Sequence, residues 1–105
     1  MRRDRADAVF AALADATRRS ILEAVSERGP LTATSLAGEL PISRQAIAKH
    51  LALLREAGLV QADRAGRETR FQAKPHALQD VAAWATATGK RWDERLARLR
   101  RALDA

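Results

Sequence analysis

The chain has 105 residues, 47% hydrophobic and 30% charged, with a formal net charge of +6 and no cysteine. That length leaves no room for a separate catalytic module, and the missing thiols exclude disulfides, thiolate nucleophiles and thiolate metal sites together. An isoelectric point of 11.2 lies above the roughly 9 at which a nucleic-acid partner becomes the expectation.

The spacing of Val9, Phe10 and Leu13 predicts a first helix from Asp4 to Ala14. Asp15 can cap a second helix, Ala16 to Arg28, whose buried side is Ile21, Leu22 and Val25 and which Gly29-Pro30 stops. Thr32 caps a third, Ala33 to Leu40, with Leu36 and Leu40 inward and Pro41 blocking its continuation. Ser43 caps the fourth, Arg44 to Ala57, where Ile47, Leu51 and Leu54 recur on one face and Gly58 is a left-handed stop. Leu59 to Arg64 and Glu68 to Ala73, joined by Ala65-Gly66-Arg67, read as a β-hairpin with Arg64, Arg67 and Arg70 near its tip. Pro75 ends it. From His76 to about Leu103 the chain is helical again, with Leu78, Val81, Ala85, Thr88, Trp92, Leu96, Leu99 and Leu103 close to a heptad and Gly89 placed to bend or divide the run.

The order α-α-α-α-β-β-α describes a mainly α winged helix-turn-helix occupying residues 1–105 as one domain, with the helix-turn-helix at 32–57 and the wing at 59–73. Opposite the apolar face of the fourth helix stand Arg44, Gln45, Ala48, Lys49 and Ala52. A small, basic, amide-bearing face suits the major groove, where Arg, Lys and Gln reach phosphates and base edges while Ala permits close approach. Arg44 and Gln45, nearest the helix start, are expected at base edges and Lys49 at phosphate; Ser43 can serve as cap and phosphate donor at once.

Four segments resemble the ArsR/SmtB family of winged-helix repressors: Leu13-Ala-Asp-Ala-Thr-Arg-Arg-Ser-Ile-Leu22, Ile42-Ser-Arg-Gln-Ala-Ile-Ala-Lys-His-Leu51, Leu54-Arg-Glu-Ala-Gly-Leu-Val60 and Gly66-Arg-Glu68. Their order and spacing agree with that family across residues 8 to about 75. The resemblance implies a homodimeric DNA-binding transcriptional regulator, usually a repressor acting near its own promoter. It implies that the first and last helices (4–14 and 76–104) build the dimer, that the fourth helix reads the major groove and that the hairpin touches an adjacent groove. Val9, Phe10 and Leu13 are then interface candidates. Metal-sensing members carry a Cys-x-Cys-type motif in the third helix or paired His and carboxylate ligands along the last. Here the third helix is Ala33-Thr-Ser-Leu-Ala-Gly-Glu-Leu40, so the chain resembles the branch that does not sense metal through cysteines.

Several residues admit two readings. His50 borders the apolar side of its helix and is either a packed histidine or a DNA contact. His76 and Asp80, four apart, could share a metal, but structural sites need about four ligands, and neither metal nor cofactor is expected. Arg64 and Arg67 suit phosphate or minor-groove contact, against the alternative that edge strands carry charge to block aggregation. Arg18 and Arg19 pair with carboxylates or with phosphate. Trp84 and Trp92 could form a ligand cage, but large aromatics at helical spacing are more often packing residues. With Leu96 and Leu99 they favour an intersubunit seam. The amphipathic run Arg91 to Ala105 could lie on a membrane surface or pair with its copy, and its mixed charge favours pairing.

The expected function is a homodimeric, sequence-specific regulator of double-stranded DNA, a repressor at a palindromic operator. Any inducer is a small molecule that distinguishes two dimer geometries. The rivals are a winged-helix module that binds protein, which the basic outer face disfavours, and a metal-responsive sensor using His50, His76 and carboxylates. An enzyme is not expected: two histidines and no tyrosine, cysteine or glycine-rich phosphate loop leave no nucleophile–base constellation. The N-terminal segment is charged throughout, unlike a secretory signal, and no run of about 18 apolar residues occurs. A cytoplasmic location without a membrane partner is therefore expected.

Overall fold

The structure, a computed structural model, describes residues 3–104; residues 1, 2 and 105 of the expected domain lie outside the described residues. Its elements are α1 (Arg3–Leu13), α2 (Ala16–Arg28), α3 (Ala33–Ala37), α4 (Arg44–Glu56), β1 (Val60–Ala65), β2 (Glu68–Ala73) and α5 (Pro75–Asp104). This is the mainly helical winged helix-turn-helix that the sequence predicts.

The helix starts are set by side-chain caps that satisfy amides the helix itself cannot. Asp15 accepts from the Arg18 N–H at 2.9 Å, and Ser43 Oγ accepts from the Ala46 N–H at 3.1 Å. Thr32 and Ser35 form a reciprocal capping box, each hydroxyl accepting the other's N–H at 3.1 Å. Pro75 occupies the first position of α5, where a missing N–H costs nothing. Gly58 takes φ +79° just beyond α4, the left-handed stop expected there.

Two helices differ from expectation. α3 ends at Ala37, not Leu40, because the Leu36 carbonyl accepts the N–H groups of both Glu39 and Leu40 and the chain tightens into a turn ahead of Pro41. Leu40 still rests half-buried against the core. Of the two effects expected of Gly89, division does not occur: α5 is one uninterrupted helix of 30 residues. A lone glycine costs about 1 kcal/mol relative to alanine, too little to break a run of good helix formers on both sides.

Val9, Ile21, Leu36, Ile47, Leu51, Leu54 and Leu59 are fully buried and make one core joining all four N-terminal helices to the start of β1. The hairpin pairs Val60 with Ala73 and Ala65 with Glu68, leaving a two-residue turn, Gly66-Arg67, rather than three. Gly66 has φ +63°, as the first position of a type II′ turn requires. The wing is tied to the body by Leu31, which exchanges two backbone hydrogen bonds with Phe71 at 3.1 and 2.8 Å.

Only the first turns of α5 touch this core: Ala77 is buried, and Leu78 and Val81 pack against it. The rest of the helix projects outward and stretches the molecule to 68 × 28 × 22 Å.

Candidate nucleic-acid interface

Ile47, Leu51 and Leu54 commit one face of α4 to the core. At about 100° per residue, Gln45, Lys49 and Ala52 then lie within roughly 60° of one another on the opposite face. All three are exposed, as is Ala48 beside them, and no part of the described chain covers them. Arg44 is also exposed but sits about 100° round the helix from Gln45, on the flank facing the wing. Ser43 is exposed at the helix start, its hydroxyl oxygen engaged as the cap.

His50 occupies the other flank, about 140° from Gln45. It is half-buried, with Nδ1 3.4 Å from Arg18 Nη1. That contact turns the ring toward α2, on the flank of α4 away from the outward strip.

Arg18 and Arg19 pair mainly with neither of the expected partners. Arg18 Nε donates to the Ala12 carbonyl at 2.9 Å and its Nη2 to that of Ala11 at 3.2 Å. Arg19 Nη1 donates to the Leu13 carbonyl at 2.7 Å. The Ala12 and Leu13 carbonyls are left open at the end of α1, where the helix dipole also favours cations, while that of Ala11 accepts the Ala14 N–H at 3.3 Å as well. The Asp15 carboxylate lies 3.9 Å from Arg18, and its pKa is lowered chiefly by the hydrogen bond from the Arg18 backbone N–H. Two arginines one turn past a helix end were the sequence signal for this staple.

Strand alternation separates the wing arginines. Arg64 shares a face with Thr69 and Phe71, and its Nη1 reaches Thr69 Oγ1 at 3.5 Å. Arg70 lies on the opposite face, 3.6 Å from Glu68 and in register with Asp63. Arg67 stands at the turn. Between α3, the start of α4 and the wing runs an open groove of about 670 Å³, lined among others by Thr34, Arg44, Ala48, Arg64, Arg67 and Thr69.

His76 and Asp80 line a smaller cavity of about 220 Å³ together with Lys74. Among the described residues no three His, Asp or Glu side chains converge on a point where a metal could sit. No helix among them is long and apolar enough to cross a membrane.

The apolar residues assigned to a seam divide in two. Val9 is fully buried inside its own protomer and has no surface to offer a partner, so its assignment to an interface is corrected. Leu13 is half-buried against the same core. Phe10, Trp84, Trp92, Leu96 and Leu99 are exposed, Trp92 to 58%. Phe10 and Trp84 meet edge-to-face at 5.2 Å, linking α1 to α5 in one apolar patch, and the Arg95 guanidinium stacks 5.5 Å from the Trp92 ring centre.

An uncovered polar strip on the second helix of a helix-turn-helix, flanked by an arginine-bearing wing, defines a DNA-binding winged-helix regulator. Residues 13–61 match the family described as "Helix-turn-helix domain". The chain is 51% identical over 67 residues to the HTH-type transcriptional regulator YuzN of Bacillus subtilis, covering 58% of this chain and 73% of that protein. It is 34% identical to the transcriptional repressor SdpR of the same organism, over 72% of this chain and 83% of the relative. The ArsR-like transcriptional regulator from Rhodococcus sp. RHA1 superposes with a TM-score of 0.80 at 44% identity, over 93% and 92% of the two chains. The chain belongs to the ArsR/SmtB family of winged helix-turn-helix transcriptional regulators, a family of DNA-binding proteins and not of enzymes.

Proposed function

We propose that the protein is a homodimeric, sequence-specific repressor that binds a palindromic operator through α4 and the wing of each protomer. The observation that carries this reading is the free outward strip of α4, with Gln45 and Lys49 exposed beside an arginine-lined groove. One such helix offers too few base contacts to discriminate against a genome of competing sites. Two copies held about 34 Å apart double the contacts and select a symmetric site. The exposed apolar patch of Phe10 and α5 is the surface that would hold them together. Repression follows if the bound dimer blocks polymerase; the SdpR relative is named a transcriptional repressor.

With no thiol in the chain, any control by a signal operates without cysteine, through an inducer that favours one dimer geometry over another. The protein works in the cytoplasm, where its DNA is. Selecting bound duplexes from fragmented genomic DNA, with sedimentation analysis of the complex, tests the proposal. A recurrent inverted repeat bound by two protomers is expected. Weak binding to every duplex alike, with no selected sequence, would overturn it.

A further inference from the structure

We propose that Arg44, Arg64 and Arg67 form a clamp on one sugar-phosphate strand of the duplex, seated in the groove between α3 and the wing. Base reading is thereby left to Gln45 and its outward neighbours. This rests on the DNA-binding reading and assigns Arg44 to the backbone instead of to base edges.

Three observations converge. First, a helix about 10–12 Å across fills a major groove about 12 Å wide, so its tip meets base edges and its flanks meet the backbone walls. Gln45 is at the tip, and Arg44, about 100° away, faces a wall. Second, alternation in β1 turns Arg64 into the same groove, and the Gly66 turn carries Arg67 to its rim. Third, the charge there is uncompensated. Among the described residues Glu68 is the one carboxylate lining the groove, and it lies 3.6 Å from Arg70 on the far face of the wing. Among the described residues neither Arg44 nor Arg67 has a hydrogen-bond or carboxylate partner, and Arg64 has only the Thr69 hydroxyl at 3.5 Å. Three guanidinium groups around an open trough fit the repeated anionic oxygens of a phosphate backbone.

The test measures binding against salt concentration for the wild type and for Arg44→Gln, Arg64→Gln, Arg67→Gln and Gln45→Ala. The probes are a duplex selected from random sequence by the wild type and a scrambled duplex of equal length. Each arginine variant is expected to weaken both duplexes by the same factor and to reduce the slope of log K against log salt by about 1 per protomer. Arg44→Lys, which keeps the charge, restores the slope. Gln45→Ala keeps the slope and loses discrimination at one base pair per half-site. If Arg44→Gln loses discrimination at one base pair with an unchanged slope, the clamp is overturned while the regulator stands. If the wild type shows no salt-dependent duplex binding, the DNA-binding reading fails with it.

Discussion

Replacing Leu96 and Leu99 together with alanine isolates the contribution of the outer half of α5 to pairing. Full burial of a leucine side chain is worth about 2 kcal/mol. These two are 50% and 55% exposed in the single protomer, so covering what remains supplies about 1 kcal/mol each. A twofold axis counts each residue twice, and the double variant should lose about 4 kcal/mol of association, roughly a thousand-fold in the dimer dissociation constant. Alanine is the better helix former, so the helix itself is not weakened by the change. Sedimentation equilibrium over a concentration series reads the constant directly, and circular dichroism checks that helix content is retained. A double variant that pairs as tightly as the wild type would refute the reasoning and move the seam away from this part of α5.

Gly58→Ala is expected to cost about 1 kcal/mol, lowering Tm by roughly 4–8 °C, because φ +79° is left-handed while no neighbouring atom crowds the new methyl; an unchanged Tm would contradict this. Arg18→Met leaves the Ala12 carbonyl open, the Ala11 carbonyl keeping the Ala14 N–H, and should destabilise the fold by about 1–3 kcal/mol in urea unfolding. Arg28 donates both terminal N–H groups to the Glu39 carboxylate, and these hydrogen bonds hold its pKa below the ordinary value. A carboxylate so depressed stabilises the fold above its unfolded value and loses that contribution as pH falls through the folded one. Stability of the wild type should therefore decline in acid, below about pH 4, more steeply than that of Arg28→Gln; parallel curves would show that the pair contributes nothing.

The order of elements was legible because punctuation is local. Asp15, Thr32, Ser43, Gly58 and Pro75 act through their own backbone neighbours, and all five mark element boundaries in the structure. The inward faces were legible wherever apolar residues recur with a single period, as at Ile47, Leu51 and Leu54. What periodicity cannot separate is an apolar residue that faces its own core from one left bare. Val9 and Phe10 are adjacent and alike in hydrophobicity, yet about 100° of helix rotation sends one inside and the other to the surface. The wing arginines were resolvable in principle, since strand alternation alone distinguishes Arg64 from Arg70. The partners of Arg18 and His50 depend on where α1 and α4 cross α2, which no local pattern states.

α5 runs for about 45 Å, yet only its first turns have a core beneath them. A free helical stretch of that kind is marginal in water when it stands alone. In an assembly held by this arm, ordering of the arm and meeting of the two chains become one event. For the dimer proposed above, occupancy of a symmetric site below the dissociation constant would rise as the square of the amount of protein. A modest drop in synthesis or a modest gain in turnover would thus release a promoter steeply, without any small molecule taking part.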